Sequence, residues 1–151
     1  MQPISVALLF NAGCQAPLEF YQSVFTDAEL VRKYEMDGQV IAAAIRLRGT
    51  EFVLISGGPE CEHSVAASYM IRTQDQAETD YFWNRLSEGG EESYCGWLRD
   101  KFGVWWQVTP SRMDELTTTG TPAQAQAVFQ AMMGMQKIII ADLEAASDAA
   151  S

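Results

Sequence analysis

Two side chains in the aromatic segment GVWWQVTP, residues 103–110, are the main candidates for contact with a small molecule. Trp105 and Gln107 are two positions apart, so they lie on the same face of an extended strand. An indole offers a flat apolar surface, and a carboxamide offers both hydrogen-bond donors and an acceptor. Each also has a purely structural alternative, because Trp105 could pack in the core and Gln107 could satisfy neighbouring backbone groups.

The nucleophilic and basic residues give a weaker signal. Cys14, Cys61 and Cys95 form no CxxC pair or metal-finger spacing, and an odd count argues against a disulfide framework. His63 lies two residues from Cys61, but adjacent loop residues rarely point at each other. We interpret His63 as an exposed loop residue, with the alternative that it acts as a base over a pocket mouth. No general acid and base pair is predicted, and Asp100 is interpreted as a turn-forming residue.

Composition indicates one globular domain, residues 1–151. The chain is 48% hydrophobic and 20% charged, which suits a protein that buries its own core. Its formal net charge of -10 would repel a phosphate backbone, so we expect no nucleic-acid partner. No apolar run approaches the roughly 20 residues needed to span a bilayer, and no basic segment precedes an apolar one at the N-terminus. We therefore expect a cytoplasmic protein with no membrane partner.

The pattern of apolar runs and turn residues predicts a twofold repeat. A strand at 4–10 is followed by a helix at 17–26 and by three strands at 28–36, 39–49 and 51–58. The order begins again with a strand at 66–74, a helix at 75–90 and strands at 93–100 and 103–110. Each half therefore reads as strand, helix and then strands.

A helical extension is predicted after Pro110, through about residue 147. Thr121-Pro122 is typical of a helix start, and Ser111 with Asp114 resembles a capping arrangement. The segment KIIIA, residues 137–141, could instead be a strand. The Met-rich segment AMMGM is interpreted as core filling or as a dimer surface.

Four segments carry a resemblance to a known family: LISGGP, LSEGGEE, CGWLRDKFGVWWQVTP and AMMGMQKIIIADLEAA. The chain resembles the PhnB-like branch of the vicinal oxygen chelate (glyoxalase, bleomycin resistance and dioxygenase) superfamily. The resemblance implies an α+β fold of two βαβββ modules, residues 1–57 and 64–110, forming a curved mixed sheet around a cavity. It also implies a homodimer. The helical extension read from the residues after Pro110 occupies the remaining segment, 111–151. Some members carry a 3-demethylubiquinone 3-methyltransferase label, yet no glycine-rich loop for a methyl-donor cofactor is present.

In metal-dependent members of that superfamily, four strand positions supply two His (or one Gln) and two Glu ligands. Aligned here, these positions fall near Val6, near Leu54, near Ser68 and on Gln107. A divalent ion held by one amide and one hydroxyl lacks charge neutralisation and imidazole basicity. We therefore expect no metal ligands and no cofactor, unless the alignment is displaced and a divalent metal is bound after all.

The predicted pocket follows from strand alternation around these positions. Its lining residues are Val6, Leu8, Leu54, Ser68, Met70, Trp105 and Gln107. Arg46, Arg48 and Arg72 are of the type that anchors carboxylates or phosphates, although strand arginines more often face solvent. The predicted function is binding of a small apolar or aromatic molecule. The alternatives are a metal-dependent lyase, isomerase or dioxygenase, and a structural role in a larger complex.

Overall fold

The first half of the chain folds as one helix and a four-stranded mixed sheet. The computed structural model describes residues 1–151 and divides them into two units, Met1–Glu62 and His63–Ser151. The elements of the first unit are β1 (Val6–Phe10), α1 (Gln15–Val24), β2 (Glu29–Met36), β3 (Gln39–Leu47) and β4 (Thr50–Ser56). The strand order is β1-β4-β3-β2, in which β1 and β4 are parallel and the other pairs are antiparallel.

Two tight turns set the register of the three consecutive strands. Asp37 and Gly38 join β2 to β3 with φ angles of 51° and 77°, and Arg48 and Gly49 join β3 to β4 with φ angles of 50° and 82°. Two successive residues with positive φ are typical of a type I′ turn, whose twist matches the right-handed twist of the antiparallel strands that it joins. The backbone N–H of Arg48 donates to Asp27 Oδ2 at 2.8 Å, which supports this unusual conformation for an arginine.

Helix α1 covers one side of this sheet. Ser56 marks that side, because its hydroxyl accepts a hydrogen bond from the backbone N–H of Cys14, the N-cap of α1, at 2.8 Å. Side chains alternate along a strand, so Leu54 faces α1 as well, and so does its register partner Leu8. The apolar side of the helix, with Leu18 and Tyr21, is buried in return.

The second unit repeats this topology. Its elements are β5 (Tyr69–Thr73), α2 (Gln76–Ser87), β6 (Glu91–Glu92), β7 (Trp97–Arg99) and β8 (Trp105–Pro110), in the strand order β5-β8-β7-β6. Strands β5 and β8 are parallel, as β1 and β4 are. The predicted twofold repeat is confirmed, with one addition: the two-residue strand β6 was not predicted. The residues that form it, Glu91 and Glu92, are both exposed.

Helix α2 covers one side of the second sheet. The Thr73 and Thr79 hydroxyls lie 2.6 Å apart, which places the Thr73 side chain against the helix. Alternation then puts Ile71 on the same side, and the strand register adds Val108 and Trp106. The helix begins with Asp75 as N-cap, whose carboxylate accepts from the backbone N–H of Glu78 at 2.8 Å.

The chain continues from β8 into three helices, α3 (Ser111–Thr119), α4 (Pro122–Met133) and α5 (Ile140–Ala149). They enclose a small core made of Met113, Leu116, Val128, Ile138 and Leu143. Met132 and Met135 pack against this core, whereas Met133 is exposed. None of the helices in the chain is long and apolar enough to cross a membrane.

The ends of these helices confirm one sequence prediction and overturn two. Thr121 forms the predicted start of α4, with a capping box to Gln124. The predicted capping arrangement of Ser111 with Asp114 is wrong, because Pro110 holds the N-cap position and makes no side-chain cap. The strand alternative for KIIIA is also wrong, because α5 begins within that segment at Ile140.

Polar contacts attach this helical extension to α2 and to the two residues that precede β7. The Gln76 carboxamide donates to the Ile138 carbonyl at 3.1 Å and accepts from the Ile140 N–H at 2.8 Å. Lys137 forms an ion pair with Asp80 at 2.8 Å. The backbone N–H groups of residues 95 and 96 donate to the carbonyls of residues 135 and 136, both at 2.8 Å.

Candidate functional site

The sheet of the second unit has a face opposite α2 that gathers polar and aromatic side chains. Gln107 pairs in register with Met70 on β5 and with Trp97 on β7, so these three side chains share that face. Alternation adds the residues two positions away along each strand, apart from Thr109, which is only 6% exposed. We call this surface the open face and define it as Ser68, Met70, Arg72, Trp97, Arg99, Trp105 and Gln107.

A hydrogen bond between two side chains lies within the open face. Gln107 Nε2 donates to Ser68 Oγ at 2.8 Å, which joins β8 to the segment that leads into β5. Gln107 therefore does not serve neighbouring backbone groups through this N–H. A carboxamide carries two N–H donors and an oxygen acceptor, so this bond uses only part of its capacity. The arrangement can present an oriented amide to a ligand.

Aromatic and thioether side chains surround that amide. Trp97 and Trp105 are partly exposed, whereas Trp106, which points to the α2 side, is only 2% exposed. Met70 is 46% exposed although it is apolar. Indole rings and a polarizable thioether form a surface suited to apolar and aromatic groups. The open face thus offers apolar contact around one directional polar group.

Charged residues flank this surface. Arg72 Nε lies 3.0 Å from Asp114 Oδ2 of α3. Arg99 Nη1 lies 3.8 Å from Glu91 Oε2 of β6, a longer and looser pair. Both arginine side chains are well exposed, so both pairs contribute little to stability and leave the guanidinium groups accessible.

Four of the predicted pocket residues come together on the open face: Ser68, Met70, Trp105 and Gln107. The other three, Val6, Leu8 and Leu54, belong to the first unit. There Leu8 and Leu54 are 3% and 0% exposed on the side that carries α1. Their chain neighbours Ala7 and Val53, which also pair in register, take the opposite side of that sheet.

Trp97 and Asp114 belong to this surface and were not singled out from the sequence. Trp97 could have been found from the antiparallel turn after β7, which places it opposite Gln107. Asp114 reaches Arg72 only because α3 follows β8 directly, and no local pattern indicates that contact. From the sequence, Asp114 was interpreted as part of a helix-capping arrangement with Ser111.

The strand positions that the sequence alignment associates with metal ligands carry no charged side chain. In the first unit the alignment falls near Val6 and Leu54, and the residues on the other side of those strands, Ala7 and Val53, have alkyl side chains as well. In the second unit they carry a hydroxyl and an amide that bond to each other, Ser68 and Gln107. Neither carries the negative charge that a divalent ion needs. No group of three or more His, Cys, Asp or Glu side chains in the chain could hold a metal ion.

A separate pocket of about 690 Å³ lies in the first unit, at the carboxyl ends of β1 and β4. Loops after both strands, the first turn of α1 and the β2–β3 turn line it, and none of the predicted site residues does. Cys14 lies at its wall but is fully buried, with its thiol bonded to Ser56 Oγ and to the Val40 carbonyl. These contacts make Cys14 part of the packing between α1 and the sheet.

The remaining candidates from the sequence have structural partners. Arg46 pairs with Glu29 across β3 and β2 at 2.7 Å. The carboxylate of Asp100 is buried and accepts from the backbone N–H groups of residues 102 and 104 at 2.9 and 3.1 Å, which confirms its role in the turn. Burial raises the pKa of Tyr69, whose ring packs edge-on against Trp106. A tyrosine with a raised pKa is a poor base at neutral pH.

Comparisons with known proteins agree with this architecture. Residues 2–109 match the model of a family described as 3-demethylubiquinone-9 3-methyltransferase. A solved structure described as a putative 3-demethylubiquinone-9 3-methyltransferase, PhnB protein, from Bacillus cereus is 29% identical with a TM-score of 0.67, over 72% of this chain and 99% of that one. The chain also superposes on protein PA1353 from Pseudomonas aeruginosa, at 20% identity and a TM-score of 0.61, over 73% of this chain and 98% of that one.

A more distant likeness shows the same fold. The fosfomycin resistance protein FosX from Mesorhizobium loti is 13% identical with a TM-score of 0.55, over 72% of this chain and 90% of that one. No curated protein matches the chain. Helices α3, α4 and α5 lie beyond the residues that the family model matches.

Proposed function

The chain belongs to the 3-demethylubiquinone-9 3-methyltransferase (PhnB-like) family of the vicinal oxygen chelate superfamily, and on that premise we propose that it binds a small apolar or aromatic molecule. The open face of the second unit is the proposed site. The ligand would lie against Trp97 and Trp105 and hydrogen-bond with the amide of Gln107. The observation that carries this proposal is the Gln107–Ser68 hydrogen bond, which orients an amide among exposed apolar side chains.

Burial supports the assignment to this face rather than to the α2 side. Trp106 and Leu98 on the α2 side are 2% and 0% exposed, as expected of a core. On the opposite side Trp97 is partly exposed and Met70 is 46% exposed, and covering the apolar area that remains exposed is favourable by about 25 cal/mol per Å². A ligand that covers them gains that free energy.

The two cofactors that the family and superfamily names suggest do not fit the residues present. A divalent metal would need charged or imidazole ligands at strand positions that hold alkyl, hydroxyl and amide groups instead. A nucleotide-like methyl donor would need a glycine-rich turn between a parallel strand and the following helix. The turn after β1 contains one glycine, Gly13, and the turn after β5 contains none. We derive no reaction through either group.

The test is direct binding of aromatic probes by calorimetry and tryptophan fluorescence. Mono- and bicyclic aromatic carboxamides and carboxylates, such as those of naphthalene and indole, serve as the panel. We expect binding that Trp105→Ala and Gln107→Ala weaken about tenfold each, the effect of losing roughly 1.4 kcal/mol. Trp83→Phe, at a tryptophan on α2 that is 2% exposed, is the matched control and should retain affinity. The proposal is wrong if no panel member binds, or if the two site variants bind as the wild type does.

We also propose that the protein is a homodimer. Strand β2 is at the edge of its sheet, and all eight of its residues are exposed. Four of them are large apolar residues: Leu30, Val31, Tyr34 and Met36. An exposed edge strand of this kind is a template for pairing with another chain. Light scattering coupled to size exclusion tests the oligomeric state, and a monomer at micromolar concentration would exclude the dimer.

A further inference from the structure

Arg72 is a basic residue on the open face whose position relative to Gln107 is fixed by the sheet. It lies two residues after Met70, which is the register partner of Gln107. Two residues along a strand span about 6.6 Å. The base of the arginine side chain is therefore within one small-molecule length of the oriented amide, on the same side of the sheet.

Contacts on two sides hold the guanidinium of Arg72. Its Nε lies 3.0 Å from Asp114 Oδ2, and its Nη1 contacts the Met70 sulfur. Met70 is the register partner of Gln107, so the guanidinium lies beside the open face. A guanidinium has five N–H donors, so one carboxylate and one thioether leave donors available for a ligand. The side chain is half exposed and can be reached from solvent.

Charge gives this arginine a role that a neutral residue could not fill. The chain has a formal net charge of -10, which repels anions at long range. Affinity for an anionic ligand therefore requires a local cation at the site. The planar guanidinium fork binds the two oxygens of a carboxylate at once, which adds orientation to the attraction.

We propose that Arg72, oriented by Asp114, anchors a carboxylate of the bound molecule, so that the ligand class is an aromatic or apolar carboxylic acid. The inference rests on the proposed function, because it concerns the same open face. The apolar body of the acid lies against Trp105 and Met70, and its carboxylate lies at Arg72. Asp114 belongs to α3, so the helical extension supplies the group that positions the anchor.

Matched acids and amides test the inference. Naphthalene-2-carboxylate and naphthalene-2-carboxamide have nearly the same shape and differ in charge. We expect the wild type to bind the carboxylate about tenfold more tightly, because a charge-assisted hydrogen bond is worth at least about 1.4 kcal/mol more than none. Arg72→Met should abolish this preference, because it weakens binding of the carboxylate far more than binding of the amide, and Arg72→Lys should retain part of it.

Two further variants separate the anchor from general electrostatics. Arg112→Met removes the same charge from α3, where Arg112 pairs with Glu115 and Glu144, and should leave the preference unchanged. Asp114→Asn should lower affinity for the carboxylate alone, because we expect the loss of Arg72 positioning to outweigh the relieved repulsion between Asp114 and the ligand, and Asp114→Glu should keep most of the wild-type affinity. If Asp114→Asn weakens acid and amide binding equally, Asp114 does not position Arg72.

The possible failures are distinguishable. If neither probe nor any other panel member binds, the proposed function itself fails. If both probes bind equally, and Trp105→Ala weakens both while Arg72→Met changes neither, the site stands and the carboxylate anchor is wrong.

Discussion

The indole N–H of Trp106 donates a hydrogen bond of 2.9 Å to the carboxylate of Asp100, six residues earlier in the chain. Both residues are 2% exposed, so the carboxyl group of Asp100 and the indole N–H of Trp106 are sealed from water. The other carboxylate oxygen accepts two backbone N–H groups of the turn between β7 and β8. One side chain thus holds the turn and also orients the strand that carries Trp105 and Gln107.

Asp100→Asn should destabilise the protein by about 2–4 kcal/mol. Both oxygens of Asp100 accept hydrogen bonds, whereas the amide of asparagine has only one acceptor oxygen. Its NH₂ group must therefore face an N–H donor that loses its acceptor. Each buried donor left without an acceptor costs about 1–3 kcal/mol. The urea midpoint, at unchanged m-value, measures the loss. Asp37→Asn is the control, because Asp37 is an exposed turn residue with φ 51°, a conformation that asparagine adopts readily. A shift as small for Asp100→Asn as for Asp37→Asn would contradict the role assigned to the carboxylate.

Quenching of tryptophan fluorescence should divide the four indoles into two pairs. Trp97 and Trp105 are partly exposed on the open face, whereas Trp83 and Trp106 are each 2% exposed. We expect the double variant Trp97→Phe/Trp105→Phe to lose most quenching by acrylamide, measured as the Stern–Volmer slope. Trp83→Phe should instead increase the quenchable fraction, since it removes a protected emitter. A double variant that is quenched as strongly as the wild type would show that the open face is not accessible in solution.

Metal content should stay far below stoichiometric in the wild type and in Gln107→Glu. The added carboxylate supplies one charged donor, but the other strand positions still carry no His or Glu, and a single carboxylate binds a transition ion weakly. Elemental mass spectrometry after incubation with nickel, cobalt, manganese, iron(II) and zinc measures the content. Tight binding of any of these ions by the wild type would overturn the donor-set argument.

A designed pair provides the positive control for that measurement. Ala7 and Val53 are directly opposite in the parallel β1–β4 pair, so Ala7→His/Val53→His places two imidazoles side by side. We expect this variant to gain nickel or zinc. Its gain would show that the assay detects a partial site on this fold, so that a low reading for Gln107→Glu is meaningful.

The sequence predicted the faces of the second sheet better than those of the first, for a physical reason. In GVWWQVTP the polar residues Gln107 and Thr109 mark one face, and alternation then places Trp105 on that same face. The segment ISVALLF is apolar at nearly every position, so its sequence does not show which side chains face which side of the sheet. In the structure Leu8 lies on the α1 side. Burial by a helix is decided by tertiary packing, which a uniform apolar run does not encode.

Pairs of residues that are distant in the chain were not predicted from the sequence, for a related reason. The two residues of β6 are a strand only because they pair with β7, and two glutamates have no strand propensity of their own. Asp114 pairs with Arg72, 42 positions earlier, across a contact that depends on where α3 leaves the sheet. By contrast, the start of α4 was predictable, because Thr121, Pro122 and Gln124 act on their own backbone.

Lowering the pH should weaken the ion pair between Asp80 of α2 and Lys137 of the helical extension. The hydrogen bond from Lys137, followed by that from Gln76, holds the pKa of Asp80 below its ordinary value of 3.8. A carboxylate whose pKa is lower in the folded state stabilises the protein fully above the unfolded value, and that contribution disappears as the pH falls through the folded value. We therefore expect Asp80→Asn to destabilise the protein at pH about 6 by less than about 1 kcal/mol, as for an exposed pair, and to have no effect once the wild-type carboxylate is protonated. Urea unfolding across pH measures this difference, and a double-mutant cycle with Lys137→Met isolates the pair. A destabilisation that persists undiminished below the lowered pKa would mean that Asp80 acts through its shape rather than its charge.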